Sequence, residues 1–408
     1  MKKFESWNRR DFITKPLTWF AASRLLSGFN WLHAETLPLM SVTQTGGIIS
    51  RKLGNTGISL PIVSMGVMNA NMPAVVRRAY EIGMRHFDTA ARYQDGRNEE
   101  MVGNVIKELG VRDKVTISTK IFIYPPKRRE ANVKQEMRSI LEGSLKRLQM
   151  DHVDILYYHA VDSVEDAGLE APIQTLQALK KEGKTRFIGI STHTPEAVLN
   201  EAVKLGVYDV ALIVLNYTMA HDAGLHDAID RAAKKGIGLV AMKTQAGGTV
   251  KPDPKLPKNL PPQSQTALLK WVLQNPAITT AIPGFTNFDQ LEQNFSVARD
   301  LAYTPAEKEF LADKNFSAQA EFCVQCGQCR ADCPLKADIP SLMRTHMYAV
   351  QYSNYAHAQQ TLATISSGSG LDACRECRSC KATCRNTVNI ARKIDDLKQI
   401  VSAGVLRA

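Results

Sequence analysis

The sequence predicts an α/β protein in which a (β/α)8 barrel is followed by a smaller helical domain. Two patterns carry this prediction. Short apolar runs alternate with amphipathic segments eight times between residues 48 and 316, and every cysteine lies after residue 322. The chain has 408 residues, of which 44% are hydrophobic and 22% charged, so it is long enough for two or three domains with buried cores.

The apolar runs are the candidate barrel strands. They are Ile62–Met65, His86–Phe87, Val115–Thr119, Val153–Tyr158, Phe187–Ile190, Val210–Leu215, Ile237–Met242 and Ile278–Ile282. Amphipathic stretches that end in glycine follow many of them, and Thr194-Pro195 opens one such helix with a cap residue and a proline. An open, doubly wound sheet is the alternative, but the glycine-rich dinucleotide motif does not follow the first run.

Polar residues follow the second, third and fourth apolar runs. Asp88 ends the second run, Lys120 the third and His159 the fourth, and Tyr93 lies in the loop after Asp88. In a parallel barrel the carboxyl ends of the strands converge on one mouth, where active sites form. We therefore expect these four side chains to meet there.

The eight cysteines form two runs with the same spacing, C-x2-C-x2-C-x3-C. They are Cys323, Cys326, Cys329 and Cys333, then Cys374, Cys377, Cys380 and Cys384. This spacing lets one loop aim three thiolates at one [4Fe–4S] cluster, while the fourth commonly ligates the other cluster of a pair. Zinc sites usually use two separated C-x2-C pairs, and disulfides do not explain a repeated spacing, so two [4Fe–4S] clusters are predicted.

The segment between the cysteine runs, residues 334–373, reads as helical because apolar residues from Ile339 to Val350 recur at three- and four-residue steps. A Ser/Gly stretch, Ser366–Gly370, ends this pattern. Residues 317–408 thereby resemble the α-helical ferredoxin module, in which helices separate two cluster-binding loops.

Residues 48–300 resemble the aldo/keto reductase family, with the matching segments in the family's order. These segments are RKLGNTGISLP, FDTAARYQDGRNEEMVG, the strand-end Lys120, DILYYH, RFIGIS, AMKTQAGG, and WVLQNPAITTAIPG through Glu292-Gln293-Asn294. The cysteine-rich tail matches a ferredoxin-bearing branch of that family. The resemblance implies a TIM barrel over residues 48–316 that reduces a small-molecule carbonyl, as an aldehyde, ketone or sugar, with hydride from NADP(H) or NAD(H).

The resemblance also implies a catalytic tetrad of Asp88, Tyr93, Lys120 and His159. Tyr93 would donate a proton to the carbonyl oxygen, and Lys120 would lower the pKa of that phenol from about 10. Asp88 would hold Lys120 in place, while His159 would orient the carbonyl.

For the cofactor, the resemblance places Ser191 at the carboxamide and Tyr217 against the nicotinamide ring. Lys243 and Gly247-Gly248 would line the pyrophosphate path. The segment from Gly284 to Asn294 would hold the adenosine phosphate at a helix N-terminus.

In that segment Asn287 and Gln290 form a candidate cap pair for the helix. None of its residues is basic, although basic residues often grip a 2′-phosphate in this family. NADP(H) is therefore the family default, and NAD(H) stays open.

The paired clusters raise a question of electron count, because nicotinamide transfers two electrons as hydride and a cluster transfers one at a time. We expect the clusters to exchange electrons with a redox partner protein, to be structural, or to be joined to the barrel by a further step that the sequence does not identify. The alternative function is an iron–sulfur electron-transfer protein that uses its barrel only as a docking scaffold.

Residues 1–34 are predicted to be a twin-arginine signal, since Arg9-Arg10-Asp11-Phe12-Ile13 precedes an apolar stretch. This predicts a periplasmic protein. The alternative is an amphipathic segment on the barrel or a membrane surface, with the protein cytoplasmic or peripheral. Removing residues 1–35 and adding two oxidised clusters lowers the net charge from +11 to about +4. We therefore predict neither a nucleic-acid partner nor an integral membrane protein.

Overall fold

The computed structural model describes residues 42–246, 264–313, 322–375, 377 and 379–407. The predicted export segment, residues 1–34, lies outside the described residues, as do Gly247 and Gly248. Within the described ranges, none of the helices combines the length and the apolar character needed to cross a membrane.

Eight parallel strands form one sheet whose spatial order follows the chain. They are β4 (Met65–Gly66), β5 (His86–Asp88), β6 (Thr116–Ile121), β7 (Val153–Tyr158), β8 (Thr185–Thr192), β9 (Val210–Val214), β10 (Gly238–Met242) and β11 (Ile278–Ala281). Parallel bridges from Val63 to Ala281 and from Gly66 to Gly284 join the first strand to the last. Each predicted run overlaps one of these strands, so the predicted barrel is confirmed.

Three short antiparallel strands precede the barrel: β1 (Val42–Thr45), β2 (Ile48–Lys52) and β3 (Ser59–Pro61). Leu53 and Leu60 of this segment are buried with Leu212 and Val240 of the barrel strands in one apolar cluster. This segment thus packs against the amino end of the barrel, where Asn55 contacts Gly236 just before β10, and it ties the start of the described chain to the strands that carry the site.

Among the described residues, ten helices of the outer layer lie between the strands or after them. They are α1 (Pro73–Ile82), α2 (Arg97–Leu109), α3 (Val133–Leu148), α4 (Val164–Ala167), α5 (Glu170–Lys181), α6 (Pro195–Leu205), α7 (Ala223–Lys234), α8 (Ser264–Gln274), α9 (Phe288–Ser296) and α10 (Pro305–Ala312). The predicted start of α6 is confirmed, with Pro195 in its first turn after Thr194, although the Thr194 side chain makes no capping hydrogen bond. Gly206 follows the last residue of the helix, and its φ of 64° suits a residue without a Cβ.

The C-terminal segment is helical, as the spacing of its apolar residues predicts. Its helices are α11 (Ile339–His346), α12 (Tyr355–Leu362), α13 (Leu371–Arg375) and α14 (Ile390–Ser402), and a π-helical turn (Met347–Gln351) continues α11. Leu342 of α11 and Leu397 of α14 belong to the same cluster of buried apolar side chains as Phe87 of the barrel. The C-terminal helices therefore pack directly on the barrel.

Candidate active site

An ion pair between Lys120 and Asp88 lies at the carboxyl ends of β5 and β6, and both side chains are almost completely buried. The Lys120 ammonium also donates to the carbonyl oxygen of Thr89 at 2.5 Å, and the Ser118 hydroxyl donates to Asp88 Oδ2 at 2.6 Å. Because a buried charge is stable only with such partners, this network fixes the ammonium in one position.

Tyr93 lies beside this pair in a tight turn (Tyr93–Gly96) after β5. Gln94 and Asp95 have left-handed backbone, with φ of 52° and 56°, and the Gln94 amide donates to the carbonyl of Ala70 at 3.0 Å to brace the turn. The ring centroid of Tyr93 is 4.8 Å from Lys120 Nζ. It also lies 6.0 Å from the His159 ring, edge to face.

The structure thus brings the four predicted residues together at one mouth of the barrel, within a single cavity and its wall. The strand ends position Asp88, Lys120 and His159, while the turn after β5 delivers Tyr93 from the side. A phenol, an ammonium and an imidazole that converge on one space can protonate and orient a carbonyl oxygen there.

The pKa of Tyr93 corrects one expectation. Burial raises it well above 10, and the charges of Asp88 and Tyr348 add to that effect while Arg92 opposes it. Burial and the charge of Asp88 outweigh the lowering that was predicted from Lys120. Tyr93 therefore keeps its proton near neutral pH, as a proton donor must.

Burial also acts on the two basic groups of the tetrad. It lowers the pKa of Lys120, against the opposing effect of Asp88. It lowers the pKa of His159 well below 6.5, and the nearby charges of Lys120 and Arg92 add to that shift. His159 is therefore a neutral imidazole at physiological pH and acts as a hydrogen-bond donor.

These directions predict the pH dependence of carbonyl reduction. Since the pKa of His159 is depressed, its imidazole stays neutral as the pH falls through 6.5, and Tyr93 stays protonated as the pH rises toward 10. We expect kcat/KM for butanal, which does not titrate, to be flat between about pH 6.5 and pH 9. The check is a rate profile in a constant-ionic-strength buffer; an inflection near pH 6.5 would contradict the assignment.

The C-terminal helices cover the barrel mouth, which the sequence did not indicate. The Lys243 ammonium donates to the Tyr348 hydroxyl at 3.1 Å, and the His357 ring lies edge-on to Tyr93 with the centroids 5.9 Å apart. Arg344 forms an ion pair with Asp162 at 2.7 Å. The only sequence signal for this contact was the cluster of aromatic and basic residues inside the helical insert.

A cavity over the tetrad is consequently lined by side chains from both parts of the chain. The barrel and the C-terminal helices contribute Met68, Arg92, Tyr93, Lys120, Phe122, His159, Ser191, His193, Leu212, Met242, Lys243, Arg344, Tyr348, His357, Thr361 and Thr364. Ser191 is buried there, and its hydroxyl accepts a hydrogen bond from the backbone of Ala160 at 2.9 Å. No described group accepts its own proton, which can therefore bond a carboxamide.

A second cavity continues from Asp88 and Tyr93 toward the loop after β11. Its lining includes Lys243, Thr244 and Gly284. The Thr244 hydroxyl is buried and has no hydrogen-bond partner among the described residues, which is the mark of a polar group placed to meet a ligand. These residues fit an extended dinucleotide whose nicotinamide end reaches the tetrad.

The far end of this cleft is braced by the residues that the sequence singled out. The Asn287 side chain accepts from the backbone N–H of Gln290 at 2.9 Å, as the predicted cap pair requires. Gln290 in turn accepts from the backbone N–H of Thr286, also at 2.9 Å. The Asn294 carboxamide accepts from Gln245. Gln290 and Asn294 thus hold the loop at the N-terminus of α9, whose unpaired N–H groups suit a phosphate.

Tyr217 contacts two helices of the outer layer. Its hydroxyl donates to the carbonyl of Leu311 in α10, and its ring lies edge-on to Trp271 of α8, with the centroids 5.5 Å apart. Packing against the outer helices satisfies both its apolar ring and its polar tip. The linings of the two cavities include Leu212 and Met242 but not Tyr217, so the structure does not bring Tyr217 to the tetrad, and its stacking on the nicotinamide stays a prediction.

The cysteines form two groups of four, and each group takes three cysteines from one run and one from the other. Cys323, Cys326 and Cys329 line a cavity together with Cys384 of the second run. Burial raises the pKa of Cys323 to about 12, and Cys329, Cys384 and Cys326 all contribute to that shift. Four thiols around one cavity fit an iron–sulfur cluster, whose iron would hold them as thiolates.

A second group forms around Cys374. Burial raises its pKa to about 11, and Cys333, Cys380 and Cys377 are the cysteines that add to the shift. Within the described residues no three Cys, His, Asp or Glu side chains are close enough to bind one metal ion. The first group lines a cavity, and each group combines three members of one run with one of the other, an arrangement known from ferredoxins.

Comparison with known proteins agrees with this architecture. The family model "Aldo/keto reductase family" matches residues 66–266, and "4Fe-4S dicluster domain" matches residues 319–388. L-galactose dehydrogenase from Arabidopsis thaliana is 30% identical over 298 residues, which are 64% of this chain and 92% of that protein. L-glyceraldehyde 3-phosphate reductase from Escherichia coli K12 is 25% identical over 314 residues, 63% of this chain and 89% of that protein.

Among solved structures, the holo form of the aldo-keto reductase AKR11C1 from Bacillus halodurans superposes with a TM-score of 0.54 and 21% identity, covering 65% of this chain and 95% of that one. This likeness supports the barrel fold. The L-galactose dehydrogenase match extends over nearly all of that relative. The chain therefore belongs to the aldo/keto reductase family of NAD(P)H-dependent oxidoreductases, and it carries a 4Fe-4S dicluster domain after its barrel.

Proposed function

We propose that this oxidoreductase reduces an aldehyde, ketone or sugar carbonyl with hydride from NAD(P)H. The observation that carries the proposal is the Lys120–Asp88 ion pair, which is buried beside Tyr93 and His159 where the two cavities meet. The names of two relatives, which specify a sugar and a triose phosphate, favour a short polyhydroxylated substrate.

A bound nicotinamide would supply hydride to the carbonyl carbon, and side chains of this protein orient the carbonyl oxygen and donate a proton to it. The neutral imidazole of His159 donates a hydrogen bond that orients the carbonyl oxygen. The Tyr93 hydroxyl then transfers its proton to that oxygen. Lys120, held by Asp88, stabilises the phenolate that this transfer leaves. Tyr348 and His357 cover the mouth and exclude bulk water from the step.

For the C-terminal domain we propose a ferredoxin-like role with two [4Fe–4S] clusters. Three thiolates of each run and the fourth of the other run would ligate each cluster. The clusters exchange single electrons with a redox partner protein, because hydride transfer at the barrel does not itself use them. We also propose that residues 1–34 direct the protein to the periplasm through the twin-arginine route, which exports folded, cofactor-loaded proteins.

The test is a fluorescence titration of the purified protein with NADPH and with NADH. We expect binding with a Kd of roughly 1–100 μM, in the usual range for enzyme ligands. Since no basic residue lies between Gly284 and Asn294, NADPH should be favoured over NADH by less than about tenfold. Binding of neither nucleotide would refute the enzyme and favour the electron-transfer protein with a barrel scaffold.

A further inference from the structure

The cavity over the tetrad is rich in cations. Arg92, Lys120, Lys243 and Arg344 all line it, and no aspartate or glutamate is among its described lining residues. Two of these charges are neutralised from behind, Lys120 by Asp88 and Arg344 by Asp162. Lys243 also lines the dinucleotide cleft, where a cofactor phosphate would share its charge.

Arg92 is the remaining cation among the lining residues of this cavity. Among the described residues no carboxylate lies within ion-pair distance of it. Its guanidinium carbon is 3.8 Å from the centroid of the Phe122 ring, and Nη2 donates to the carbonyl of Gln360 at 3.0 Å. Nε and Nη1 donate to no described group, and neither is a fully buried atom. Arg92 therefore lines the cavity with two donors that have no partner among the described residues.

The imidazoles near Arg92 carry no positive charge that would compete with it for an anion. Burial, with a contribution from Arg344, lowers its pKa to about 10, so it remains a cation at neutral pH. Burial also lowers the pKa of His159 and of His357 well below 6.5 and that of His193 to about 4, so all three imidazoles are neutral. Asp95, the nearest acid in the chain, accepts from the Gln360 side chain at 2.8 Å.

We propose that the carbonyl substrate carries a carboxylate or phosphate, and that Arg92 binds this anionic group within the cavity over the tetrad. The inference rests on the proposed function and deepens it by naming the substrate class. Because Arg92 and Tyr93 are adjacent, with Cα atoms about 3.8 Å apart, and line the same cavity, the anion lies near the reacting carbonyl. A short-chain substrate fits this placement. Thr361 and His357 of α12 line the same cavity, so the cluster-bearing domain contributes to substrate recognition.

The experiment compares two matched pairs of aldehydes, each with a charged and a neutral member. The carboxylate pair is succinic semialdehyde and butanal, and the phosphate pair is glyceraldehyde 3-phosphate and glyceraldehyde. We expect wild type to prefer the charged member of at least one pair, which also identifies the anion. In Arg92→Met the ratio of kcat/KM, charged over neutral, should fall about 10–100-fold, as expected for the loss of charged hydrogen bonds.

Two control variants separate charge recognition from structure. Gln360→Ala removes the side chain that joins α12 to Arg92 and Asp95 but keeps the guanidinium. It should therefore lower kcat/KM by the same factor for both members of a pair. Arg138→Met removes an exposed arginine that pairs with Glu182 on the outer surface, and it should leave the ratio unchanged. The proposal would be overturned if Arg92→Met changed kcat/KM by the same factor for the charged and the neutral aldehyde of both pairs.

A binding measurement tests the inference without turnover. Calorimetry on the cluster-loaded protein with oxidised nicotinamide cofactor should show 4-hydroxybutanoate binding more tightly than butan-1-ol, and Arg92→Met should remove that difference. If no aldehyde were reduced, the proposed carbonyl reduction would fail, while this comparison would still decide the anion site. Equal binding of these two alcohols by wild type, together with equal binding of glycerol 3-phosphate and glycerol, would refute it.

Discussion

Replacing Tyr93 with phenylalanine should lower kcat for carbonyl reduction by about 10³-fold, the usual order for loss of a positioned proton donor. The ring would still fill the space beside Lys120 and His159, because only the hydroxyl is removed. The nucleotide should therefore bind with little change in Kd. Steady-state kinetics combined with the nucleotide titration measures both quantities.

The matched control is Tyr80→Phe, which removes a hydroxyl from α1 on the outside of the barrel and should leave kcat unchanged. A second measurement distinguishes proton transfer from general disruption. Since burial keeps Tyr93 protonated, the variant should lose rate at every pH between about 6.5 and 9 by the same factor. Unchanged turnover in Tyr93→Phe would refute the assigned mechanism.

The barrel and the position of its tetrad were predictable because both follow from local patterns. A strand buried on two faces reads as a short apolar run, and a polar residue at its carboxyl end can only be at the mouth. His159 illustrates this, since it directly follows β7, in which every residue is buried. Likewise, the Asn287–Gln290 cap is a hydrogen bond across three residues, which a sequence pattern can reveal.

The covering of the active site by the C-terminal helices was not predictable by the same reasoning. Gln360 and Arg92 are 268 positions apart, and their contact depends on how the C-terminal helices pack on the barrel. The position of Tyr217 also depends on packing. Its ring lies edge-on to Trp271 in the outer layer, and no local sequence pattern reveals that contact. The raised pKa of Tyr93 depends on complete burial, which no spacing of residues conveys.

This packing also links the clusters to the catalytic mouth. Cys323 lines a cavity that it shares with Lys243 and Arg344, and both cations line the cavity over the tetrad. An intact cluster at the first group would hold the loop around Cys323 in place. Loss of that cluster should therefore raise the KM for the carbonyl substrate, whereas Cys374→Ala, which disrupts the other group, should raise it less.

Double cysteine substitutions should reveal the exchange of ligands between the two runs. Cys323 and Cys384 stand around one cavity, whereas Cys333 is grouped with Cys374. Each single alanine variant should lower iron from about eight to about four atoms per chain, because each destroys one cubane. Cys323→Ala/Cys384→Ala should still retain about four iron atoms, since both ligands belong to the same cluster. Cys323→Ala/Cys333→Ala should retain almost none.

The two double variants form a matched comparison, because each removes two thiols and differs only in which pair. If each run instead bound its own cluster, the result would reverse: Cys323→Ala/Cys333→Ala would keep half of the iron, and Cys323→Ala/Cys384→Ala would lose nearly all of it. Iron and acid-labile sulfide should fall together in every variant, since a cubane contains them in equal numbers. Bound zinc in place of iron and sulfide would contradict the clusters themselves, whereas the reversed pattern would contradict only the exchange.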